Sequence, residues 1–501
     1  MSGRSLVLSI DQGTTGSRAF VFSEDGRVVS SAYREFTQYY PRPGWVEHDP
    51  MEILRSVFRV VEEAVDRRGL WKRIGAIGIT NQRETFVLWD RRTGRPVAGS
   101  RAIVWQCRRS AEICADLRGR GLERAARART GLVLDPYFSG TKVRWMMDHV
   151  AGLRARVKIG DVCFGTIDAW LLWHLTGGTH ATDFTNASRT LMFNIRKRAW
   201  DPELLDLLGV PAALHLPAVR PSAGRFGVTR GAAGLPGGIP ITGMAGDQQA
   251  ALFGQGATRA GGMKNTYGTG CFLMLHTGDR FVLSGEGLLT TLACDSAGGP
   301  AYALEGSVFI AGAAVQWLRD GIEIIRSSAE SERWARSVPD SAGVVVVPAF
   351  TGLGAPHWRP DARGAIFGLT RGATRAHLIR ATLESIAYQT CDVFDLMRSI
   401  CSTRKPSIRI RELRVDGGAT RNNFLMQFQA DLLGLPVVRP RMAELTSWGA
   451  ARLAGIGASM WSAGSADPAG LSGTTVFRPR LSRARAAALQ KKWRICVRRV
   501  V

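Results

Sequence analysis

Nowhere in this chain of 501 residues is there a long unbroken apolar run, and the stretch before the first acidic residue, Leu6 to Ile10, is only a few residues long. A membrane-spanning helix needs about 18 such residues, and a secretory leader also needs a longer apolar segment, so a cytoplasmic protein is expected. The eight cysteines, at 107, 114, 163, 271, 294, 391, 401 and 496, form no C-x-x-C pair and have no histidine at metal-site spacing. Neither a zinc site nor a disulfide framework is expected, and the thiols read as reduced. Also missing are G-x-x-x-x-G-K-[ST] and G-x-G-x-x-G, so a Walker-type site and a dinucleotide-binding Rossmann unit lose their main support.

Acidic residues are scarce, 42 against 66 Lys+Arg, which leaves a net charge of +24, and only 8 of the basic residues are Lys. Such a surplus suits a nucleic-acid binder, but the basic residues are scattered from Arg4 to Arg499 with no zinc-finger spacing or RNP-type pattern. A specific nucleic-acid partner is therefore not expected. One local excess stands out. Pro468 to Val501 holds nine basic residues and no acid, enough to attract polyanions or anionic lipid without specificity.

What remains is globular in composition, 45% hydrophobic and 22% charged, and too long for one hydrophobic core. Strand-like and helix-like periods alternate, which indicates an α/β fold. Ser5–Ile10, Arg18–Ser23 and Val28–Tyr33 read as an antiparallel meander turning at Asp25-Gly26. Asp49 as N-cap, Pro50 at the first helical position and Glu52 as a capping-box partner start a helix with Ile53, Leu54, Val57, Phe58, Val61 and Val65 on one face. Ile74–Thr80 and Phe86–Asp90 read as a strand pair, and Asn265–Leu275 as a strand broken by Gly268 and Gly270. Further on come a helix near Ser307–Gly321, a buried strand Val344–Val347, a long helix over Ala376–Ile400, and a strand Arg411–Val415 ending in Asp416-Gly417-Gly418. Two halves of related design are expected, 1–253 and 254–501.

The chemistry gathers at strand ends. Asp11-Gln12-Gly13-Thr14-Thr15 offers a glycine turn, two hydroxyls, Arg18 nearby and a carboxylate for a divalent cation, a set suited to an oxyanion. Thr266-Tyr267-Gly268-Thr269-Gly270 repeats the glycine and hydroxyl pattern in the second half. Together the two loops can clamp a polyphosphate from both sides. Arg83-Glu84 pairs a cation with an anion for a polyol, and Asp247 is either a helix cap or a general base.

At this level of detail the chain resembles the FGGY carbohydrate kinases of the actin, Hsp70 and hexokinase-like ATPase superfamily. The likeness rests on Asp11–Thr15, Pro43–Pro50, Gly78–Thr85, Ile103–Arg109, Asp135–Lys142, Gly246–Gly254, Asn265–Cys271 and Asp416–Gly418, collinear over nearly the whole chain. The longer stretches are similar to members that phosphorylate glycerol. The resemblance implies two ribonuclease H-like domains flanking an interdomain catalytic cleft, and transfer from ATP, with Mg²⁺, to a terminal hydroxyl of glycerol, giving sn-glycerol 3-phosphate. It implies Asp247 as the base. Arg83, Glu84, Tyr137, Asp247 and Gln248 would bond the glycerol hydroxyls, while Trp105 and Phe272 pack on its carbons. Thr14, Thr15, Gly16 and Arg18 would meet the phosphates, with Thr269 opposite them, and Asp11 would organise the metal through water. Gly312, Gln316, Gly418 and Asn422 would surround the nucleotide. A homodimer or homotetramer is implied as well.

The segment Gly224–Gly238 lacks the Gly-Gly-x-Arg element with which some bacterial members bind an inhibitory sugar bisphosphate, so that regulation is not expected. Ser447-Trp448 departs from the usual Ala-Leu and is read as bearing on assembly or solubility. Two alternatives compete: a kinase of another polyol or ketose, which would lack the Arg83, Glu84, Trp105 and Tyr137 set, and a non-catalytic ATP-binding regulator, which would lack the base.

Overall fold

Leu6–Gln12 (β1), Gly16–Phe22 (β2) and Val28–Glu35 (β3) form the expected meander, with Asp11 opposite Arg18 across the first pair. In this computed structural model, residues 4–97, 100–231, 235–285, 287–359, 361–403, 407–463 and 473–501 are described. Of the segments singled out above, 232–234 within Gly224–Gly238 and 468–472 of the basic tail lie outside them.

On the other side of β1, Ile74–Asn81 (β4) is buried at every residue and pairs in parallel, as fits a near-continuous apolar strand covered on both faces. With Ala223–Val228 (β5) and Pro240–Gly246 (β6) the sheet runs β5-β6-β4-β1-β2-β3. A second sheet is built from Met263–Tyr267 (β7), Cys271–Gly278 (β8), Leu289–Cys294 (β9), Pro300–Val308 (β10), Leu413–Asp416 (β11), Val437–Arg439 (β12) and Thr475–Phe477 (β13). Its order is β9-β10-β8-β7-β11-β12-β13. The antiparallel meander β7-β8-β10 followed by parallel β11 and β12 repeats the pattern of β1-β2-β3 followed by parallel β4 and β6.

Four details differ from the sequence reading. Phe86–Asp90 does not pair with β4; it lies between Ala102–Ile103 and Val162–Thr166 in a separate sheet. The link between the two strands is itself buried, and at Glu84 the backbone turns through φ +60 and leaves the first sheet. Asn265–Leu275 is a hairpin, not an interrupted strand. Gly268 N donates to Gly270 O at 2.9 Å to close the turn, and a Cβ at Gly270 would overlap the Val308 carbonyl oxygen. The helix read from Ser307 begins only at Gly312, because Ser307 still belongs to β10. Finally, Asp49 caps Pro50–Ala64 (α1) through Met51 N at 2.8 Å, but Glu52 completes no box. Its carboxylate instead accepts from Thr37 N and Oγ1 at 3.0 and 2.9 Å, pinning the chain after β3 to the helix.

Asp247–Gly254 (α2) and Leu445–Gly457 (α4) pack backbone to backbone, and α4, though late in sequence, lies against the first sheet. Trp448 of α4 is buried with Val7, Phe20, Phe22 and Ala76. The long helix Arg375–Ser402 (α3) carries the core of the second half. The basic tail includes a docked helix, Arg483–Val497 (α5): Trp493 Nε1 donates to Asp392 at 2.6 Å, and Arg494 pairs with Asp392 and Asp395 at 3.2 and 2.7 Å.

The α2/α4 contact tolerates only hydrogen at its centre. A Cβ at Gly449 would overlap the Ala250 carbonyl oxygen, backbone that cannot rotate aside. Gly449→Ala is expected to lower the unfolding free energy by about 1–3 kcal/mol, read as a lower urea midpoint at unchanged slope. Gly119→Ala, where no described atom lies within 4 Å, should lose none.

Candidate functional site

Ligand sites of open α/β sheets collect at the carboxyl ends of parallel strands. Here β1 ends in Asp11 and Gln12, β4 runs out into Gln82-Arg83-Glu84, and β6 delivers Asp247 at the first turn of α2. Asp247 is not the helix cap; that position is Gly246, whose N donates to Thr185 Oγ1 at 2.9 Å. The carboxylate is thereby able to face the space between the two halves. It remains 33% exposed while its neighbour Arg83 is only 2% exposed.

Four buried charges hold this corner together. Arg83 donates to both carboxylate oxygens of Glu305 at 2.6 and 3.0 Å, and its Nε lies 3.3 Å from Asp247 Oδ1. Arg189 bridges the pair, donating to Glu84 at 2.6 Å and to Glu305 at 3.0 Å. Both guanidiniums and both glutamates are essentially without solvent contact, and two positive charges meet two negative ones. Burial alone would raise the Glu305 carboxyl, but Arg189 and Arg83 outweigh it and bring it down to about 2. Burial keeps Glu84 and Asp247 above the ordinary carboxylate range, against the pull of Arg83 on each.

An aromatic wall stands beside the quartet. Trp105 and Tyr137 meet edge to face with ring centroids 5.4 Å apart, and Trp105 Nε1 donates to Thr14 Oγ1 at 3.0 Å. Both backbones are held from behind by the buried ammonium of Lys142, which donates to Val104 O and Tyr137 O, each at 3.1 Å. Burial lowers Lys142 to about 8.

Asp11 lies 3.8 Å from Arg18 and accepts from Ser447 Oγ at 3.0 Å. Burial raises its carboxyl to about 6; Arg18 and Ser447 oppose the rise, while Asp247 and Glu444 add to it. The field of Asp247 and Glu444 at the buried Asp11 carboxylate is one that a hard divalent cation would relieve, so the oxygen donor there suits such an ion. Ser447 therefore serves the site, and Trp448 is core, 5.3 Å from the ring of Phe22. This corrects the reading of the two as bearing on assembly or solubility.

Across the gap, Gln248 accepts from the buried ammonium of Lys264, which also donates to Thr266 Oγ1 at 2.7 Å. Thr266 is paired with Phe272 across the β7-β8 hairpin. Lys264 is lowered to about 8 by burial, with Asp416 and Asp247 pulling it back up. Thr269 is exposed in the hairpin turn, its carbonyl accepting from Ala311 N and Ala313 N, and Gly312 N donates to Gly268 O at 3.0 Å. A Cβ at Gly312 would meet that oxygen at 2.5 Å. Thr15 and Arg18 are exposed, whereas Gly16 is buried against Tyr33. Gly418 follows β11 at the surface.

Gln316 and Asn422 stand apart from the polar network. Gln316 is exposed at the end of its short helix, and Asn422 caps a helix through Leu425 N and donates to Ser331.

Glu305, Arg189, Lys142, Lys264 and Ser447 complete the site without being marked as site residues by the sequence motifs. Glu305 has a visible signal, a lone acid after the apolar run Tyr302-Ala303-Leu304, and so do the lysines, two of only 8 in the chain. Arg189 has none.

Replacing Glu305 leaves two buried guanidiniums short of an anion. Glu305→Gln is expected to cost about 3–5 kcal/mol of stability at neutral pH, measured by denaturant titration. Because the folded carboxyl is depressed, the difference from the parent should be full above the ordinary value of 4.5 and shrink as pH falls toward about 2.

Residues 6–254 match the N-terminal domain, and 263–458 the C-terminal domain, of the FGGY family of carbohydrate kinases. Among curated proteins, the chain is 56% identical over 500 residues to a glycerol kinase of Polaromonas naphthalenivorans, covering 99% of each. It is 57% identical over 458 residues to glycerol kinase 2 of Thermotoga maritima, covering 91% of this chain and 90% of that one. Among solved structures, Plasmodium falciparum glycerol kinase with ADP superposes with a TM-score of 0.92 at 34% identity, over 100% of this chain and 99% of that one. A gluconate kinase of Lactobacillus acidophilus shares the fold, with a TM-score of 0.85 at 20% identity over 98% and 96%.

Proposed function

Since the chain belongs to the FGGY family of carbohydrate kinases, we propose that it transfers the γ-phosphoryl group of ATP to a terminal hydroxyl of glycerol, giving sn-glycerol 3-phosphate and ADP. The observation that carries the reading is the fixed polar corner: an accessible Asp247 beside an Arg83 that Glu305 has locked in place, next to Glu84 and the Trp105–Tyr137 wall. A gluconate or xylulose site would need a different donor set around its larger substrate. The fold shared with gluconate kinase leaves that choice to the side chains.

In the proposed reaction Asp247 takes the proton of the attacking hydroxyl. Arg83, Glu84, Tyr137 and Gln248 bind the hydroxyls, and a substrate lacking one leaves buried charge unpaired, which is the basis of selection. Trp105 and Phe272 cover the carbons. Phosphoryl transfer passes through a loose transition state, so the chain's work is positioning, charge neutralisation and exclusion of water. Thr14, Thr15, Gly16, Arg18 and Thr269 hold the phosphates from the two halves; Gly312, Gln316, Gly418 and Asn422 lie around the nucleotide. Asp11 would hold Mg²⁺ through water, and that ion when bound neutralises charge on the β- and γ-phosphate oxygens. Residues 1–253 carry glycerol and phosphate, and 254–501 the nucleotide. The enzyme would work in the cytoplasm as a homodimer or homotetramer, in glycerol catabolism.

A coupled ADP-release assay with Mg-ATP tests the reading, comparing glycerol with dihydroxyacetone, xylulose, gluconate and no acceptor. Glycerol should be preferred clearly. A win for another acceptor overturns the substrate, and no release above background overturns the kinase. Asp247→Asn should cut turnover by roughly 10² or more with ATP affinity retained. The base must be ionised, and burial raises its pKa, so activity should fall on the acid side at a higher pH than a free aspartate would give. That limb should vanish in the residual activity of Asp247→Asn.

A further inference from the structure

The spacing of cysteines and histidines along the chain argues against a zinc site, but the fold brings three distant residues together. Cys163, on the edge strand Val162–Thr166, His180, which precedes Ala181–Asp183, and His215 each offer a ligand atom, and all three atoms lie within 4.8 Å of one another. Cys163 and His215 are partners in a parallel bridge, held by Phe164 N on His215 O and His215 N on Val162 O, both at 3.0 Å. The two side chains therefore leave the same level of the sheet edge.

His180 is oriented as a metal ligand would be. Its Nε2 lies 2.8 Å from Phe164 O, and since a carbonyl only accepts, Nε2 carries the hydrogen. The lone pair of the neutral ring is then on Nδ1, which is buried with no hydrogen-bond partner among the described residues. A carbonyl fixing one imidazole nitrogen so that the other presents its lone pair is the usual second support of a metal-bound histidine. The ring is clamped by Trp89 and Trp173 at 5.1 and 5.8 Å and meets the His215 ring at 5.0 Å.

We propose that Cys163, His180 and His215 form a binding site for a borderline divalent cation of the Zn²⁺ class, with the fourth position left to water. One thiolate and two imidazoles suit Zn²⁺ and exclude Mg²⁺ or Ca²⁺, which take oxygen. Cys163 is fully buried, while His180 and His215 are partly exposed. Ligands about 2.0–2.3 Å from a tetrahedral ion stand roughly 3.5 Å apart, so binding draws the three together slightly. As the sulfur–metal bond forms, the thiol proton leaves to solvent. Bound there, the ion would staple the strand edge to the segments that enter the parallel pair Ala181–Asp183 and Ala218–Arg220. The site is separate from the kinase chemistry and does not rest on it.

The test is titration of the chelator-treated full-length protein with Co²⁺ in Mg²⁺-free buffer. One equivalent per chain should give visible bands of a four-coordinate ion together with a thiolate-to-cobalt charge-transfer band, and Zn²⁺ should displace it. Cys163→Ser should abolish the charge-transfer band although seven cysteines remain. His215→Ala, at a partly exposed position where truncation leaves the core intact, should weaken binding about 10-fold or more. Zn²⁺ should raise the melting temperature of the parent and not of His215→Ala. No thiolate band in the parent, or equal binding by the parent and a folded His215→Ala, overturns the proposal.

Discussion

The carboxylate of Glu305 is the constraint on which the site depends. It is contributed by β10 in the second half and grips Arg83 and Arg189, both from the first half, so one buried anion ties the two halves at the floor of the space between them. A buried ion pair gains little net stability over apolar residues of equal size, because each charge has lost its water. What it provides here is direction. Arg83, bonded twice to Glu305, can present only its Nε edge to Asp247, and Arg189 sets the carboxylate of Glu84 in the same way. Charges whose orientation is fixed before a ligand arrives need no reorganisation when it does.

The second organising feature is that two sheets of one design approach each other with different partners. Each has a glycine-bearing turn between its first two strands, closed by Gly13 N on Gly16 O in one and by Gly268 N on Gly270 O in the other, both at 2.9 Å. Each also carries an aspartate at the end of a strand with a parallel neighbour, Asp11 on one side and Asp416 on the other. The halves are not mirror copies in use. Asp11 is reached by Ser447 from α4, whereas Asp416 is satisfied by Gln255, whose Nε2 donates to it at 2.6 Å. Helix α4 crosses to the first sheet and brings Ser447 with it, through contacts so close that several facing positions must be glycine or alanine.

Local pattern is a good guide where backbone hydrogen bonds and burial follow from adjacent residues. The meander, α1, α3 and the late Asp-Gly-Gly strand are legible because their periods and caps lie within a dozen or so residues. Pairing is less so: Phe86–Asp90 has the same alternation whether it joins β4 or another sheet, and only the turn at Glu84 decides. Arg83, Glu84, Trp105, Tyr137 and Asp247 are found through their motifs and do lie together. Their supports are not, since Glu305 is 222 residues from Arg83, and Lys142 acts on backbone carbonyls that no side-chain pattern marks. The histidines near Cys163 escape notice for the same reason, because spacing along the chain carries no information about a bridge between residues 163 and 215.

Asp247 shows how these supports bear on chemistry. A carboxylate used as a base must be ionised near neutral pH and yet hold a proton well enough to take one from a hydroxyl. Burial raises its proton affinity, and Arg83 and Lys264 lower it. Without another partner Arg83 would close on Asp247 as a tight pair. The distances argue otherwise: Arg83 is 2.6 Å from Glu305 and 3.3 Å from Asp247, so most of its charge is already answered. Lys264 is held likewise by Gln248 and Thr266. Each cation near Asp247 is also held by a group other than Asp247, which keeps either from closing on that carboxylate as a tight pair.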